Sequence, residues 1–309
     1  MKTAVCLMGP TASGKTDVAI SLCKRFPFDI VSVDSALVYR GMDIGTAKPA
    51  VETLQQVPHR LIDIRDPEES YSAGEFVRDA RAEIDASHER GRIPLLVGGT
   101  MMYFRSLTEG IADLPEADTK IRAAIDAEAE ASGWPALHAQ LADLDERAAA
   151  KINPNDSQRI QRALEVYRVS GKSLSEWQAG TATTDRADSF LKVAMVTESR
   201  SVLHDRIALR LQSMMENGFV EEVETLMARP GLTASHPSMR AVGYRQLWSC
   251  LEGKDTLEAA KQKALAATRQ LAKRQLTWIR SERQVTVVEP LAKDVLDTIS
   301  GLLRRRLER

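Results

Sequence analysis

Residues 9–16 read Gly-Pro-Thr-Ala-Ser-Gly-Lys-Thr and satisfy the string G-x-x-x-x-G-K-[ST]. The spacing has a mechanical reason. Glycines at both ends let the backbone curl so that successive N–H groups face inward onto phosphate oxygens, and the helix that follows adds the positive end of its dipole. Gly9, Pro10, Thr11, Ala12, Ser13, Gly14, Lys15 and Thr16 therefore form a candidate diphosphate cradle. Lys15 is expected to reach the outer phosphate, and the Thr16 hydroxyl is a natural ligand for Mg²⁺. The apolar run Thr3–Met8 precedes the string and helical spacing follows it over Asp17–Arg25. That context separates a phosphate loop from a plain turn. The motif specifies a diphosphate-like anion held with Mg²⁺; it does not specify a nucleotide.

Phosphoryl transfer at such a loop needs a further metal-holding carboxylate, usually at the end of another strand. Asp34 closes a second β-branched run, Ile30–Val33, and Asp63 lies inside a third, Leu61–Ile64. The fourth run, Ile93–Val97, ends in Gly98-Gly99-Thr100 and not in an acid. The loop is clear but the ATPase apparatus is incomplete, so a small-molecule P-loop kinase is the alternative reading and not the leading one.

The elements that must position these residues alternate strand and helix over the first hundred positions, with Ala73–Arg90 as an amphipathic helix stopped by Gly91. Such alternation predicts a parallel, doubly wound sheet with ligands outside the carboxyl ends of its strands. The pattern then turns helical, at Thr119–Ala131, Ala136–Leu141, Asp156–Val169 and Ser173–Gln178, punctuated by Pro115, Pro135 and Pro154. A strand-like run, Phe190–Val196, precedes helices at Val202–Asn217, Val220–Met227 and Thr256–Glu282, and Gln284–Val288 returns one last strand. The expected organisation is an α/β core of residues 1–111 and 183–309 interrupted by an all-helical insertion, 112–182.

The 309 residues carry 42 Lys plus Arg against 43 Asp plus Glu, a formal charge of −1. That balance hides a strong asymmetry. Residues 111–150 hold nine acids and three bases, whereas 261–285 hold seven bases and the single acid Glu282. Near-neutrality therefore does not argue against a polyanionic partner. No run approaches the roughly 18 apolar residues of a membrane span, and the first residues run straight into the glycine loop without a cleavable signal. Cys6, Cys23 and Cys250 are too few and too far apart for a disulfide framework or a CxxC metal site. The expected setting is cytoplasmic, with no membrane partner; a monomer is the default, since no self-complementary apolar repeat is evident.

From Asp34 the chain reads DSALVYRGMDIGTAKP. With GPTASGKT before it and LLVGGT after it, this run resembles the tRNA dimethylallyltransferases, also called tRNA isopentenyltransferases. The resemblance continues through DSQRIQRALEVYRVSGKSLSEWQ (156–178), LHDRIALRL (203–211), HPSMRAVGYRQ (236–246) and RQLAKRQLTWIR (269–280), in order and over nearly the whole chain. It implies a P-loop NTPase-like core whose loop grips the diphosphate of dimethylallyl diphosphate. The implied reaction moves the five-carbon group to N6 of the adenosine immediately 3′ of the anticodon, in tRNAs reading codons that begin with U. It also implies that the helical insertion clasps the anticodon stem-loop. The chain ends without the Cys/His cluster of a zinc-finger extension, as the short forms of the family do.

The residues fit this chemistry. The adenine amine is a poor nucleophile, so attack needs a positioned base and an activated leaving group. Asp34, at a strand's carboxyl end on the loop side of the sheet, is the expected base; the family assigns its counterpart that role. Lys15, the loop N–H groups and Mg²⁺ on Thr16 would neutralise the departing diphosphate. Thr100 is placed to reach the bridging oxygen or the adenosine, or else to cap the next helix. Arg206 and Arg210, four apart on one helix, look like the family's diphosphate-contacting arginines. For tRNA, Gln158, Arg159, Gln161 and Arg162 put amides and guanidinia on consecutive turns. Lys273, Arg274, Gln275, Trp278 and Arg280 combine cations with an aromatic suited to stacking, although such a tryptophan is more often a core residue. The resemblance adds Ser35, Ala36, Leu37, Arg122, Ile160, Met239, Arg240, Gly243, Tyr244 and Arg245, with Asp34 and Thr100, to the tRNA contacts. Leu37 stands where some relatives carry Gln, so a side-chain hydrogen bond there is replaced by packing. The target adenine is expected to leave its stack to reach the site. A non-catalytic RNA-binding module with a vestigial loop is the reading from a different class.

Overall fold

The computed structural model describes residues 2–112, 114–180 and 189–307. In chain order the elements are β1 (Thr3–Met8), α1 (Lys15–Cys23), β2 (Phe28–Val33), α2 (Val51–Gln56), β3 (His59–Arg60), α3 (Ala73–Glu89), β4 (Ile93–Gly98) and α4 (Met101–Glu109). Then come α5 (Thr119–Ser132), α6 (Trp134–Leu144), α7 (Glu146–Ala149), α8 (Ser157–Ser170) and α9 (Leu174–Ala179). The chain closes with β5 (Ser189–Met195), α10 (Arg200–Glu216), α11 (Phe219–Met227), α12 (Tyr244–Leu251), α13 (Leu257–Ser281), β6 (Val285–Val288) and α14 (Val295–Leu307).

These elements form two compact units, Met1–Thr108 with Arg186–Arg309, and Glu109–Asp185. The junction expected at 182/183 lies outside the described residues. The first unit is built on one six-stranded sheet in the order β3-β2-β4-β1-β5-β6, with every pair parallel. Both faces are covered, which is why its strands read as continuous apolar runs. Along β1, Ala4, Cys6 and Met8 pack into one core, while Val5 and Leu7 pack into the other beside α1 and α14. Register sets the site: Gly98 pairs with both Met8 and Val33, so the residues leaving β1, β2 and β4 emerge side by side. Gly98 has no room for a side chain, since a Cβ would lie 2.0 Å from the Val33 carbonyl oxygen.

The third strand needs correction. It is the two-residue β3 at His59–Arg60, and the run Leu61–Ile64 turns instead, with Leu61 at φ 63° and Asp63 at φ 56°. Two residues in the left-handed region cannot continue a ladder, whatever their side chains favour. The helices α2, α4, α7, α12 and α14 do not follow from spacing alone.

The second unit is a small helical bundle around Ile125, Leu137, Leu141, Ile160 and Leu164. Asp118 caps α5, Asp156 caps α8, and a Ser173/Glu176 capping box starts α9. Its interior holds one fully buried acid, Glu165, which accepts from Arg122, Arg162 and the Asp118 N–H. A carboxylate removed from water this way stays charged only because cations and an amide replace its hydration.

Candidate active site

The phosphate loop leaves β1 at Gly9 and enters α1 at Lys15. Ala12 at φ 63° and Gly14 at φ 84° alternate with right-handed neighbours, the geometry that turns successive N–H groups to one side. Among the described residues the N–H groups of Ala12, Gly14, Lys15 and Thr16 have no protein acceptor, which leaves them available to an anion. Three others are committed elsewhere. The Gly9 N–H donates to Gly98 O, that of Ser13 to Pro10 O, and that of Thr11 to the Gln275 side chain at 2.9 Å. The cradle is therefore narrower than the string Gly9–Thr16 suggests.

Gln275, on α13, bridges two strand ends. Its Oε1 accepts from Thr11, and its Nε2 donates to Gly99 O at 2.9 Å. The two partners define which end of the amide is which. A Cβ on Gly99 would lie 2.4 Å from that nitrogen and 3.1 Å from the Gly9 carbonyl oxygen, so a side chain there would displace the Gln275 amide.

Asp34 leaves β2 beside this bridge. Its Oδ1 accepts from the Ala36 and Leu37 N–H groups at 2.9 and 3.3 Å, which pins the carboxylate. Thr100 Oγ1 accepts from the Ser35 N–H at 3.0 Å, so this hydroxyl ties β4's end to the Asp34 turn and does not cap α4. On α10, Arg206 Nε donates to Ala12 O at 2.7 Å and Arg210 donates to Thr46 O at 3.0 Å. Each arginine braces one wall of the cradle.

Lys15, Thr16, Asp34, Arg210 and Gln275 are among the residues lining a cavity of about 170 Å³ in the first unit. Lys15, Thr16, Asp34 and Arg210 form its polar part; Ile207, Leu211, Met214, Phe219 and Leu271 supply an apolar wall. A neighbouring cleft of about 550 Å³ shares Lys15, Thr16 and Arg210 and adds Arg206. Burial pushes the Lys15 ammonium down to about 8, opposed by the Asp34 carboxylate and reinforced by Arg210. Burial likewise lowers Arg210, with Asp34 opposing. Two cations and one acid sharing a desolvated pocket leave a positive excess that suits a multiply charged anion.

No group of three or more His, Cys, Asp or Glu among the described residues is arranged to hold a metal. A divalent cation nevertheless fits the donors that are present. Thr16, Ser32 and Asp34 line the cavity, and the buried Ser32 hydroxyl has no hydrogen-bond partner. Hard oxygen donors of this kind, few in number, match an ion that takes most of its ligands from phosphate and water.

One residue central to the wall carried no signal in the sequence. Glu222 of α11 accepts from the N–H groups of Asp43, Ile44 and Gly45 and from the Tyr244 hydroxyl at 2.6 Å. It thereby folds the 43–49 loop against the cavity. Lys48, with its side chain almost wholly buried, ties the same loop to Asp43, Asp63 and the Tyr39 carbonyl.

The residues expected to touch tRNA fall into three groups. Arg159, Gln158, Arg240, Arg245, Lys273, Arg274 and Arg280 are exposed, and Ser35 is exposed beside Asp34. Ala36, Leu37 and Gly243 line the cavity. The third group requires correction as direct side-chain contacts. Ile160 is buried in the second unit's core, Met239 is buried in the first's, and the Tyr244 side chain is fully buried with its hydroxyl held by Glu222. Arg122 and Arg162 are bound to Glu165, Gln161 donates to Asp126, and Gln275 is engaged with the phosphate loop. Trp278 is half-buried against the core with Arg105 over its ring at 5.7 Å, closer to the core use of a tryptophan than to an open stacking platform.

Fold and site together define a P-loop α/β protein: a parallel sheet with a phosphate cradle at its carboxyl edge and no acid closing β4. A sequence model of the IPP transferase family matches residues 37–282. The chain is 51% identical over 99% of its length to the tRNA dimethylallyltransferase of Ralstonia pickettii, covering 96% of that protein. To its namesake from Thioalkalivibrio sulfidiphilus it is 55% identical, over 93% of this chain and 89% of that one. Among solved structures, the full-length tRNA isopentenylpyrophosphate transferase of Bacillus halodurans superposes with a TM-score of 0.71 at 36% identity, covering 99% and 98% of the two chains. A eukaryotic dimethylallyltransferase acting on tRNA gives 0.81 at 25% identity, covering 99% of this chain and 79% of that one. The chain belongs to the IPP transferase family.

Proposed function

We propose that this protein transfers the dimethylallyl group of dimethylallyl diphosphate to N6 of the adenosine immediately 3′ of the anticodon, in tRNAs reading codons that begin with U. One observation carries the reading: a single cavity joins a cationic cradle, an apolar wall and a fixed carboxylate. A donor with a charged head and a hydrocarbon tail needs the first two, and an amine nucleophile needs the third. Phosphoryl transfer from ATP to a small acceptor, with ADP leaving, would leave the apolar wall without a purpose.

The diphosphate sits on the open N–H groups of the loop, with Lys15, Arg206 and Arg210 around it. As the C1–O bond breaks, its electron pair goes to the diphosphate, and these cations stabilise the charge where it develops. The Thr16 hydroxyl, with the unpartnered Ser32 hydroxyl beside it, would hold a divalent cation, which when bound polarises the leaving phosphate. The N6 lone pair forms the new N–C1 bond, and the N6 proton passes to Asp34. Oδ1 of that carboxylate is occupied by two backbone N–H groups, which leaves Oδ2 to take it. Thr100 holds the turn that aims Asp34 and acts through it. Exposed Gln158, Arg159, Arg240, Lys273, Arg274 and Arg280 would meet the RNA, in the cytoplasm where tRNA resides. No described helix is long and apolar enough to cross a membrane.

The test supplies labelled dimethylallyl diphosphate, Mg²⁺ and unmodified tRNA, with labelled ATP as a rival donor. Asp34-dependent label from the prenyl donor in the tRNA is the expected result. Label arriving only from ATP would make the protein a kinase, and tight tRNA binding with no transfer would make it a binding module.

A further inference from the structure

Helix α13 has a second functional stripe, away from the cavity. Arg269, Lys273, Leu276 and Arg280 are spaced four, three and four residues apart, which places them within about 60° on a 3.6-residue helix. Gln275 and Leu271, which serve the cavity, lie on a different face. Opposite the stripe stand Arg200 and His204 of α10, one turn apart, and a pocket of about 260 Å³ lies between the two helices. Leu203, Ala272 and Leu276 floor it, and no carboxylate lines it. Glu282, the single acid near this end of α13, is bound to Lys192 at 2.7 Å.

Arg269 is the telling group. Its Nε is enclosed and has no hydrogen-bond partner. By contrast Arg206, two residues after His204, satisfies its Nε on the phosphate loop. A guanidinium nitrogen enclosed without an acceptor is unfavourable, and three more cations beside it add repulsion. Both problems are relieved by one ligand, an oxyanion that accepts from the arginine fork.

We propose that this pocket seats a phosphate, and specifically a backbone phosphate of the RNA substrate away from the reacting adenosine. The inference rests on the proposed reaction for its choice of polyanion; the geometry of the pocket does not. Arg269 is the anchor, Arg200 and His204 close the opposite side, and Lys273 and Arg280 extend the positive strip along the RNA. The seat fixes the position of the tRNA on the core and carries no base information.

The experiment measures tRNA dissociation constants for the full chain between about 50 and 200 mM salt. Arg269→Gln should weaken binding about tenfold, as loss of a charge-assisted hydrogen bond predicts, and lower the slope of log K against log salt by about 1. Arg269→Lys keeps the charge but not the fork, so it should retain the wild-type slope with a severalfold loss of affinity. Pyrophosphate affinity should not change in either variant. Should Arg269→Gln misfold on thermal melting, Arg200→Gln, at an exposed helix start, carries the same expectation. Wild-type affinity and slope in folded Arg269→Gln and Arg200→Gln would overturn the proposal. So would calorimetry showing that inorganic phosphate loses an Arg269-dependent site while tRNA binding is unaffected. Failure of the wild-type protein to label tRNA would sink the proposed reaction, whereas intact labelling with an unmoved slope would sink this inference alone.

Discussion

Replacing Gln275 separates two roles that its place in the chain confuses. The substitution Gln275→Leu keeps a side chain of similar bulk, one bond shorter, and removes both hydrogen bonds, each 2.9 Å. It strands the Thr11 N–H in the phosphate loop and the Gly99 carbonyl at the end of β4. At about 1 kcal/mol for each lost bond the total is about 2 kcal/mol, or roughly 30-fold in an equilibrium or rate constant. The strain falls on the loop, which then keeps α1, the Gly9–Gly98 bond and the Arg206 bond to Ala12 O but loses its tie to α13. Steady-state kinetics with the donor varied should show kcat/KM lower by about 10- to 30-fold, while tRNA affinity stays within about twofold. Gln275→Glu should be worse. It keeps an acceptor for Thr11 but sets a second carboxylate oxygen against Gly99 O and adds negative charge beside the departing diphosphate. The reasoning fails if either variant binds tRNA poorly yet shows wild-type donor kinetics, for then Gln275 reads RNA as its neighbours on α13 suggest.

Asp34→Asn should lower turnover by about 10²- to 10⁴-fold, the range for loss of a general base, with tRNA affinity retained; single-turnover transfer measured beside binding tests it. The Lys15 ammonium, pushed down to about 8, makes pyrophosphate binding pH-dependent. Binding favours the charged form, so affinity should fall as pH rises through 8, and calorimetry in buffers of different ionisation enthalpy should detect proton uptake near that pH; no uptake would contradict the burial argument. The sign for folding is opposite. The unfolded chain binds more protons at this lysine between about 8 and its ordinary value, so this group's penalty for burying charge is present below 8 and relieved above it. Glu222→Ala removes the acceptor for three backbone N–H groups and the Tyr244 hydroxyl, and should destabilise the fold by about 3 kcal/mol or more; denaturant melts decide it, and an unchanged midpoint would mean that Lys48 and Arg210 suffice to hold the 43–49 loop.

Much of the site was legible because its signals are local. The phosphate loop needs glycines and a lysine at set spacing within eight residues, and its flanking strand and helix follow from apolar periodicity. The carboxyl-end rule for parallel sheets then brings Asp34 and Thr100 beside it, and the register of Gly98 against Met8 and Val33 bears that out. Two errors have one cause. The strand placed at Leu61–Ile64 rested on residue type, and the tRNA contacts at Tyr244, Met239 and Ile160 on a resemblance between sequence blocks; neither reports backbone sign or side-chain burial. Leu61 and Asp63 turn left-handed, and the three side chains face inward.

What the chain alone determined is the phosphate cradle, the parallel sheet that carries it and the helical stretch that interrupts it, because each is written in contiguous spacing. What only the tertiary structure decided is which groups are left free to act. Thr11 is 264 residues from Gln275, and Glu222 is 177 from Gly45, so no local pattern encodes either pairing. A hydrogen-bonding group has a fixed number of partners, and only when the distant elements are packed is it settled whether an amide, a carboxylate or a guanidinium still has one to offer a substrate.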